Sequence, residues 1–297
     1  MFGNQLKTVA LLGLLSGLIV LVAYYLVGNE QGLVIGLVFA AFTSISSWYF
    51  SDRAALTAYQ AQPIAREQAP ELYDMIAKLS DRAEIPMPKV FVVPTESPNA
   101  FATGRDPDHA AVAVTEGIME ILSREELEGV LAHELTHVKN RDTLTQAVAG
   151  TLAGAITFLG RILTLGALYG PVSPRGGRQG SNPLGTLFLI ILAPISATLI
   201  QLAISRTREY AADRGSAEIT GNPGALVSAL QKLEEMGKKL PMHGNPAFSP
   251  LLIINPLSAK GLQSLFLTHP PTEERIRRLI ELASTAKQEQ QNTPATA

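Results

Sequence analysis

Residues 133–137 place two histidines and a glutamate at a spacing that suits a metal site. The run reads His133-Glu134-Leu135-Thr136-His137. On an α-helix, side chains four residues apart lie on one face, so both imidazoles can bind a single metal ion. This is the H-E-x-x-H arrangement, in which the intervening glutamate lies beside the open coordination position and can act as a general base. The alternative is an amphipathic helix that carries two histidines by chance.

The flanking residues favour a helix around this pentad. Ser123 and Glu126 have the S-x-x-E form of a capping box, with Ser123 at the N-cap. Good helix formers follow, and the run ends near Asn140, Arg141 and Asp142. The apolar residues recur at the spacing of a half-buried helix; they are Leu127, Val130, Leu131, Leu135 and Val138.

Composition limits the kinds of site and partner. A chain of 297 residues is long enough for one large or two small domains with a substantial core. The 24 Lys and Arg residues nearly balance the 26 Asp and Glu residues, so nothing indicates a nucleic-acid partner. Because there is no cysteine, disulfides, thiolate zinc sites and a cysteine nucleophile are excluded. Any metal must therefore be held by histidine and carboxylate side chains.

Two apolar stretches at the N-terminus predict a transmembrane hairpin. Leu6–Val27 and Leu33–Phe50 hold no charged residue beyond Lys7. At about 1.5 Å per residue, each is long enough to cross a hydrocarbon layer of about 30 Å. A cleaved signal peptide is the alternative for the first stretch. It is disfavoured because a convincing small-residue cleavage site is absent and a second stretch follows at once.

A second pair of apolar stretches is less clear. Leu144–Tyr169 contains Arg161 near its middle, where a charge costs about 2.5–3.5 kcal/mol on insertion scales. We therefore expect this pair, completed by Leu184–Ile204, either to span the bilayer or to be partly re-entrant. Lys and Arg residues concentrate at the ends away from the first turn, which predicts that both termini and the pentad face the cytoplasm.

These stretches divide the chain into five parts. We predict an N-terminal transmembrane hairpin (1–50), a first part of a catalytic domain (51–143), a second hydrophobic hairpin (144–204), a second catalytic part (205–283) and a disordered tail (284–297). Besides the pentad helix, the helices predicted outside the membrane are Pro70–Glu84, Glu116–Leu122, Pro223–Lys239 and Thr272–Leu282. The predicted strands are Lys89–Val93 and Ala110–Thr115. The Pro-containing apolar loop 241–270, with Phe248 and Leu251 to Ile254, is expected to pack on the membrane surface.

A third metal ligand should come from a separate element, since catalytic zinc usually has three protein ligands. Residues 206–213 follow the fourth apolar stretch and include Glu209 and Asp213. These two carboxylates are four residues apart and share a helix face. One could bind metal while the other orients a ligand imidazole through its free ring N–H. The alternative is a solvated charge cluster beside the membrane.

The pentad, two hydrophobic segments and the R-x-R-E-Y-x-A-D run at 206–213 together resemble the HtpX family of bacterial membrane-embedded zinc endopeptidases, which are related to the CAAX prenyl proteases. The resemblance covers essentially the whole chain. It implies that His133, His137 and Glu209 bind one zinc ion and that Glu134 activates water. It also suggests that Asp213 supports a ligand from outside the coordination shell.

Two further motifs match this family. Residues 98–104 resemble its edge-strand segment, which implies that Asn99 and Ala100 pair with an extended substrate; their composition alone indicates only a small-residue loop. Residues 269–275 resemble its H-P-x-x-x-x-R motif, which implies oxyanion stabilisation by His269 and substrate contact by Arg275. The alternative for His269 is a loop residue that leads into a helix. His109 and His243 are expected to be exposed loop residues.

The expected fold class is a mainly α membrane protein with a small β-sheet. Its zincin-like, gluzincin-type cytoplasmic domain would be joined to two transmembrane hairpins. The resemblance implies a bacterial inner-membrane endopeptidase that acts on misfolded membrane proteins and unfolded polypeptides in contact with the bilayer, and it leaves open a homo-oligomer. The alternatives are a prenyl-protein protease, disfavoured because only four candidate spans enclose the site, and a non-catalytic membrane scaffold with a closed four-ligand metal site.

Overall fold

The structure is a computed structural model that describes residues 30–149, 206–240 and 270–292. It also describes scattered helical positions between 6 and 24, and residues 242, 248 and 251–253. None of the helices formed by these residues is both long enough and apolar enough to cross a bilayer. Nearly all of the predicted second hairpin, 144–204, lies outside the described residues, as do His243 and His269.

Eight α-helices and four strands have assigned bounds in the described residues, and residues 142–149 are helical as well. The helices are α1 Glu30–Tyr49, α2 Ser51–Ala58, α3 Pro70–Ala83, α4 Glu116–Ile121, α5 Arg124–Lys139, α6 Arg206–Thr220, α7 Pro223–Lys239 and α8 Thr272–Asn292. The strands are β1 Gln62–Pro63, β2 Lys89–Val93, β3 Ala100–Gly104 and β4 Ala110–Thr115. The predicted helices α3, α4, α5 and α7 and the predicted strands β2 and β4 are confirmed to within one or two residues.

The second N-terminal apolar stretch is helical and lies against the first. Ser16 Oγ is 3.0 Å from Ser44 Oγ of α1. Gly36 of α1 comes so close to the backbone of Val20 that an added Cβ would lie 2.8 Å from the Val20 Cα atom. The two apolar segments are therefore in direct contact.

The sheet has the order β1-β2-β4-β3 and mixes directions. β2 and β4 are parallel, whereas β3 is antiparallel to β4 and β1 is antiparallel to β2. β3 is thus an edge strand, and its free edge is the one that faces away from β4.

Both faces of the sheet are covered, which explains why every residue of β4 is buried. Successive side chains of a strand point to opposite faces. Val112 and Val114 accordingly join a large cluster with the apolar faces of α3, α5 and α7, whereas Ala111 and Ala113 join a smaller cluster with α2. α5 therefore lies on one face of the sheet, next to the β3 edge.

Helix α3 shows how the apolar spacing produces an element. Its buried residues recur every three or four positions and include Leu72, Ile76 and Leu79, with Pro70 in the first turn. The helix ends at Glu84, which adopts a left-handed conformation with φ 58°.

Two predictions about irregular segments differ from the structure at the residues that it describes. The apolar loop was expected to lie on a membrane, but its described residues Phe248, Leu251, Leu252 and Ile253 are buried against the sheet. The tail was expected to be disordered from Ser284; α8 continues to Asn292, and residues 293–297 lie outside the described residues. The charged and polar residues after Leu282 are good helix formers, and the apolar pattern that marks the buried face ends before the helix does.

Candidate active site

Helix α5 begins with the predicted capping box. Ser123 accepts a hydrogen bond from the Glu126 backbone N–H at 3.3 Å, and the Glu126 carboxylate accepts one from the Ser123 N–H at 2.8 Å. The same carboxylate also binds Ser228 at 2.6 Å and Lys232 at 2.7 Å on α7. The start of α5 is therefore fixed both locally and by tertiary contact.

In its last two turns, α5 places its two histidines together. The Nε2 atoms of His133 and His137 are 3.2 Å apart, and the ring planes are nearly perpendicular at 88°. Glu209 on α6 completes the group, with its carboxylate oxygens 3.8 Å from His133 Nε2 and 3.5 Å from His137 Nε2. All three side chains are buried.

These distances fit a small divalent cation. Zinc bonds of about 2.0–2.1 Å at the tetrahedral angle place neighbouring ligand atoms about 3.3 Å apart. The separation of 3.2 Å between the two Nε2 atoms is close to that value, and each Nε2 atom lies within 3.8 Å of one Glu209 oxygen, Oε2 for His133 and Oε1 for His137. Two imidazoles and one carboxylate are also a known donor set of catalytic zinc, which leaves one position for solvent or substrate. The prediction that His133, His137 and Glu209 meet at one point agrees with this geometry.

Comparison with known proteins gives the family. The model of Peptidase family M48 matches residues 66–283. A "Protease HtpX homolog" from Nostoc punctiforme is 58% identical over 280 residues, which cover 94% of this chain and 96% of that protein. The protein of the same name from Acaryochloris marina is 52% identical over 294 residues, which cover 99% of this chain and 98% of that protein. The one from Pyrococcus furiosus is 49% identical over 282 residues, which cover 95% of this chain and 96% of that protein.

The chain belongs to peptidase family M48. It is accordingly a metalloprotease, and the HtpX resemblance seen in the sequence is confirmed. Among solved structures, Ste24p of S. mikatae matches with a TM-score of 0.52 at 19% identity, covering 94% of this chain and 66% of that one. The chain thus spans slightly less than two thirds of that structure, and this likeness shows a shared fold alone.

In this M48 peptidase each histidine of the candidate metal site lies beside its own aspartate. Asp213 Oδ1 lies 3.0 Å from His133 Nδ1, which is compatible with the supporting position that the family resemblance implied. Asp142 Oδ2 lies 3.0 Å from His137 Nδ1. A carboxylate on the outer ring nitrogen fixes the tautomer and leaves Nε2 free to bind metal. Both aspartates are buried, so these contacts persist without competition from bulk water.

Asp142 was missed by the sequence reasoning. It lies just beyond the end of α5, where Arg141 adopts a left-handed conformation with φ 58°. That turn brings the carboxylate back toward His137. The available signal was an acidic residue five positions after the second histidine, but nothing in the spacing distinguished it from an ordinary residue that follows a helix.

Two buried arginines balance these carboxylates. Arg275 donates two hydrogen bonds to Asp213, at 3.0 Å and 2.6 Å, and its Nη2 atom lies 3.4 Å from His133 Nδ1. Arg208 lies 3.6 Å from Asp142. Arg275 was predicted to contact substrate; its principal partner in the structure is Asp213.

Burial and neighbouring charges shift the titration of the metal-free site. Burial lowers the pKa of His133 to about 4, although its contact with Asp213 opposes the shift. Burial also disfavours the charged form of His137, but Asp142 and Glu209 outweigh it and raise its pKa to about 9. Burial would raise the pKa of Asp213, but the charge of Arg275 holds that pKa at about 2.

Glu134 lies between the metal site and strand β3. Its Oε2 accepts a hydrogen bond of 2.9 Å from the backbone N–H of Ala102. Burial raises the pKa of Glu134 to about 8, with the charge of Glu209 adding to the shift against the opposing charge of His137. A pKa in that range lies near neutral pH, which is the range that favours general acid and base catalysis.

The remaining residues named from the sequence lie in or near β3 or outside the described residues. Asn99 is buried, and its backbone N–H donates to Thr115 Oγ1 at 2.9 Å while its carbonyl accepts from the Thr115 N–H at 3.0 Å. Ala100 has its carbonyl on the free edge. His109 is exposed on a 3₁₀ turn, as predicted, and pairs with Asp106. His269 lies outside the described residues.

Proposed function

We propose that this metalloprotease is a zinc-dependent endopeptidase that cleaves unfolded polypeptides and misfolded membrane proteins on the cytoplasmic side of a bacterial inner membrane. The observation that carries the proposal is the convergence of the His133, His137 and Glu209 ligand atoms beside the Glu134 carboxylate. Three ligands with a neighbouring general base suit hydrolysis, whereas a closed four-ligand site would suit a structural role.

The donor set supports zinc, with one ion per chain. Imidazole and carboxylate ligands at this spacing suit zinc, although other divalent metals compete for such sites. When bound, zinc acts as a Lewis acid on the scissile carbonyl and lowers the pKa of water at the open position. His133, His137 and Glu209 would hold the ion, and Asp213 and Asp142 keep both imidazoles turned toward it.

Glu134 provides the proton transfer. Its carboxylate would take a proton from the attacking water and later pass it to the leaving amine. The Ala102 N–H holds this carboxylate on the β3 side of the site, so that a peptide lying along β3 would have its carbonyl within reach. Arg275 keeps Asp213 ionised next to His133, and His269 would stabilise the developing oxyanion.

Substrate would bind as an added strand along β3, with Ala100 supplying its edge carbonyl and Asn99 fixing the start of the strand. Backbone pairing of this kind gives affinity with loose side-chain selectivity. That is the selectivity expected of an enzyme that acts on many misfolded chains.

Membrane attachment is supported by the surface of α1. Large apolar side chains are exposed along the whole helix, among them Val38, Phe39, Phe42 and Ile45. Aromatic residues follow at its end, and Arg105 stacks on Tyr49 with 4.8 Å between the guanidinium carbon and the ring centroid. Exposed apolar surface that ends in aromatic and cationic side chains is typical of a helix that meets a membrane interface.

Replacement of Glu134 by glutamine tests the proposal. Glutamine has a similar shape but cannot accept the proton, so the detergent-purified variant should retain its metal and lose casein cleavage. The matched control is Glu128→Gln on the same helix, where the side chain pairs with Arg124 at 3.7 Å and should be dispensable. Full activity of Glu134→Gln would refute the mechanism, and preferential cleavage of a farnesylated peptide would change the substrate class.

A further inference from the structure

The edge of β3 that faces away from β4 is contacted by a segment of the same chain. The backbone N–H of Ile253 donates a hydrogen bond of 3.1 Å to the carbonyl of Ala100. The carbonyl of Ile253 in turn accepts a hydrogen bond of 3.2 Å from Arg275 Nη1. Both backbone groups of Ile253 are therefore bound by residues that surround the metal site.

This contact lies next to the general base. Residues two apart on a strand direct their backbone groups to the same edge, so the Ala100 carbonyl and the Ala102 N–H point the same way. Ile253 uses the first group and Glu134 uses the second. Arg275 also lies 3.4 Å from His133, so a single side chain links the Ile253 carbonyl to a metal ligand.

The side chain of Ile253 also lies where the side chain of a residue paired with β3 would lie. Ile253 is buried in the same cluster as Ala100 and Ala102, together with the apolar face of α5. Leu251 and Leu252 both belong to the cluster on the other face of the sheet, with Phe101. Because the backbone turns at residues 251–253, only Ile253 takes the position of a residue paired with β3.

We propose that Ile253 is a built-in pseudosubstrate residue, which occupies a subsite for an aliphatic residue of the substrate. The inference rests on the proposed endopeptidase function and goes beyond it in two respects. The enzyme closes its own substrate edge at rest, and it prefers an extended peptide with an aliphatic side chain at the position now filled by Ile253.

A substrate residue could replace Ile253 without making any new kind of contact. A substrate residue at this position would receive the same hydrogen bonds from Ala100 and Arg275 and bury a side chain in the same place. Substrate affinity would then be reduced by the fraction of molecules in which the edge is closed. Weakening the internal occupant should therefore improve substrate binding, whereas a purely structural segment would only lose stability.

A disulfide lock tests the proposal directly, because the natural chain contains no cysteine. The backbone hydrogen bond between Ile253 and Ala100 brings these residues near the separation of about 4.4–6.8 Å between Cα atoms that a disulfide requires. In the double variant Ala100→Cys with Ile253→Cys, oxidation should lower casein cleavage at least about tenfold relative to the reduced form of the same protein. The Ile253→Cys single variant, treated identically, should show no difference between the two forms.

A second variant covers the case in which the double variant does not fold. Ile253→Ala keeps the backbone but weakens the occupant, so KM for a fluorogenic peptide should fall about two- to fivefold while kcat is retained. A positional peptide library should show a preference for Ile, Val or Leu at one position adjacent to the cleaved bond.

The outcomes separate the two proposals. If the natural chain cleaves neither casein nor the library, the endopeptidase function fails. If it cleaves them, but the locked form is as active as its reduced form or Ile253→Ala leaves KM unchanged or raised, the pseudosubstrate is overturned and the function stands.

Discussion

Replacing Asp142 with alanine should weaken metal binding even though Asp142 does not touch the metal. The substitution removes the carboxylate that lies 3.0 Å from His137 Nδ1 and fixes its tautomer. Carboxylates in this position are typically worth about 10–100-fold in metal affinity, equivalent to about 1.4–2.7 kcal/mol.

We expect the upper end of that range because of Arg208. This buried side chain lies 3.6 Å from Asp142, and its charge also interacts with the Glu209 carboxylate. Without Asp142, the remaining anionic partner of Arg208 in this group is a metal ligand. Arg208 then competes with the cation for Glu209. His137 also loses the carboxylate that orients its ring.

Competition with a chromogenic zinc chelator at neutral pH measures the affinity. Asp142→Asn should lose less zinc affinity than Asp142→Ala, because the amide oxygen can still accept a hydrogen bond from His137 Nδ1–H. Asp81→Ala, an exposed change on α3, should bind zinc like the natural chain. An Asp142→Ala protein with a native far-UV spectrum and unchanged zinc affinity would refute the account of this side chain.

Three further outcomes follow from the same contacts. Because the pKa of His137 is raised to about 9 without metal, zinc binding near pH 7 should release at least one proton, and zinc affinity should fall as the pH falls. Calorimetry in buffers of different ionisation enthalpy measures the number of protons released. Zinc binding without proton release would contradict this prediction. Ser123→Ala should cost about 0.5–2 kcal/mol of stability through loss of the N-cap, and a denaturant titration with no shift in midpoint would count against that estimate. In Gly215→Ala, the new Cβ would lie 2.4 Å from the Thr136 side chain, where α6 crosses α5. This variant should therefore lose about 1–3 kcal/mol of stability and also bind zinc more weakly. Gly224→Ala, whose Cβ meets ordinary contacts, is the control, and equal behaviour of the two glycine variants would show that the crossing is not tight.

Much of the helical framework could be predicted because its signals are local. The capping box at Ser123 and the apolar spacing of α3 and α7 each act within a few residues, and each element formed as predicted. The strands β2 and β4 were also recognisable from their β-branched and small apolar residues. β3 was not recognisable from composition, because its five residues are small or Phe and only pairing with β4 makes them a strand.

The metal ligands could be predicted because helical spacing fixes them, but their surroundings could not. His133 and His137 are neighbours on any helix, and Glu209 and Asp213 share a face of the next. The roles of Asp142 and Ile253 depend on a turn after α5 and on a contact between distant segments. The apolar loop illustrates the same limit, since sequence shows that Leu252 must be covered but does not show whether a membrane or the sheet covers it.

The metal content of Glu209→Gln tests most directly whether His133, His137 and Glu209 bind one ion. We expect one zinc ion per chain in the natural protein and in Glu218→Gln, an exposed change on the same helix α6. Glu209→Gln should retain less than about a tenth of that amount after dialysis. A Glu209→Gln protein that retains a full equivalent of zinc would show that this carboxylate is not the third ligand, and the site described here would be wrong.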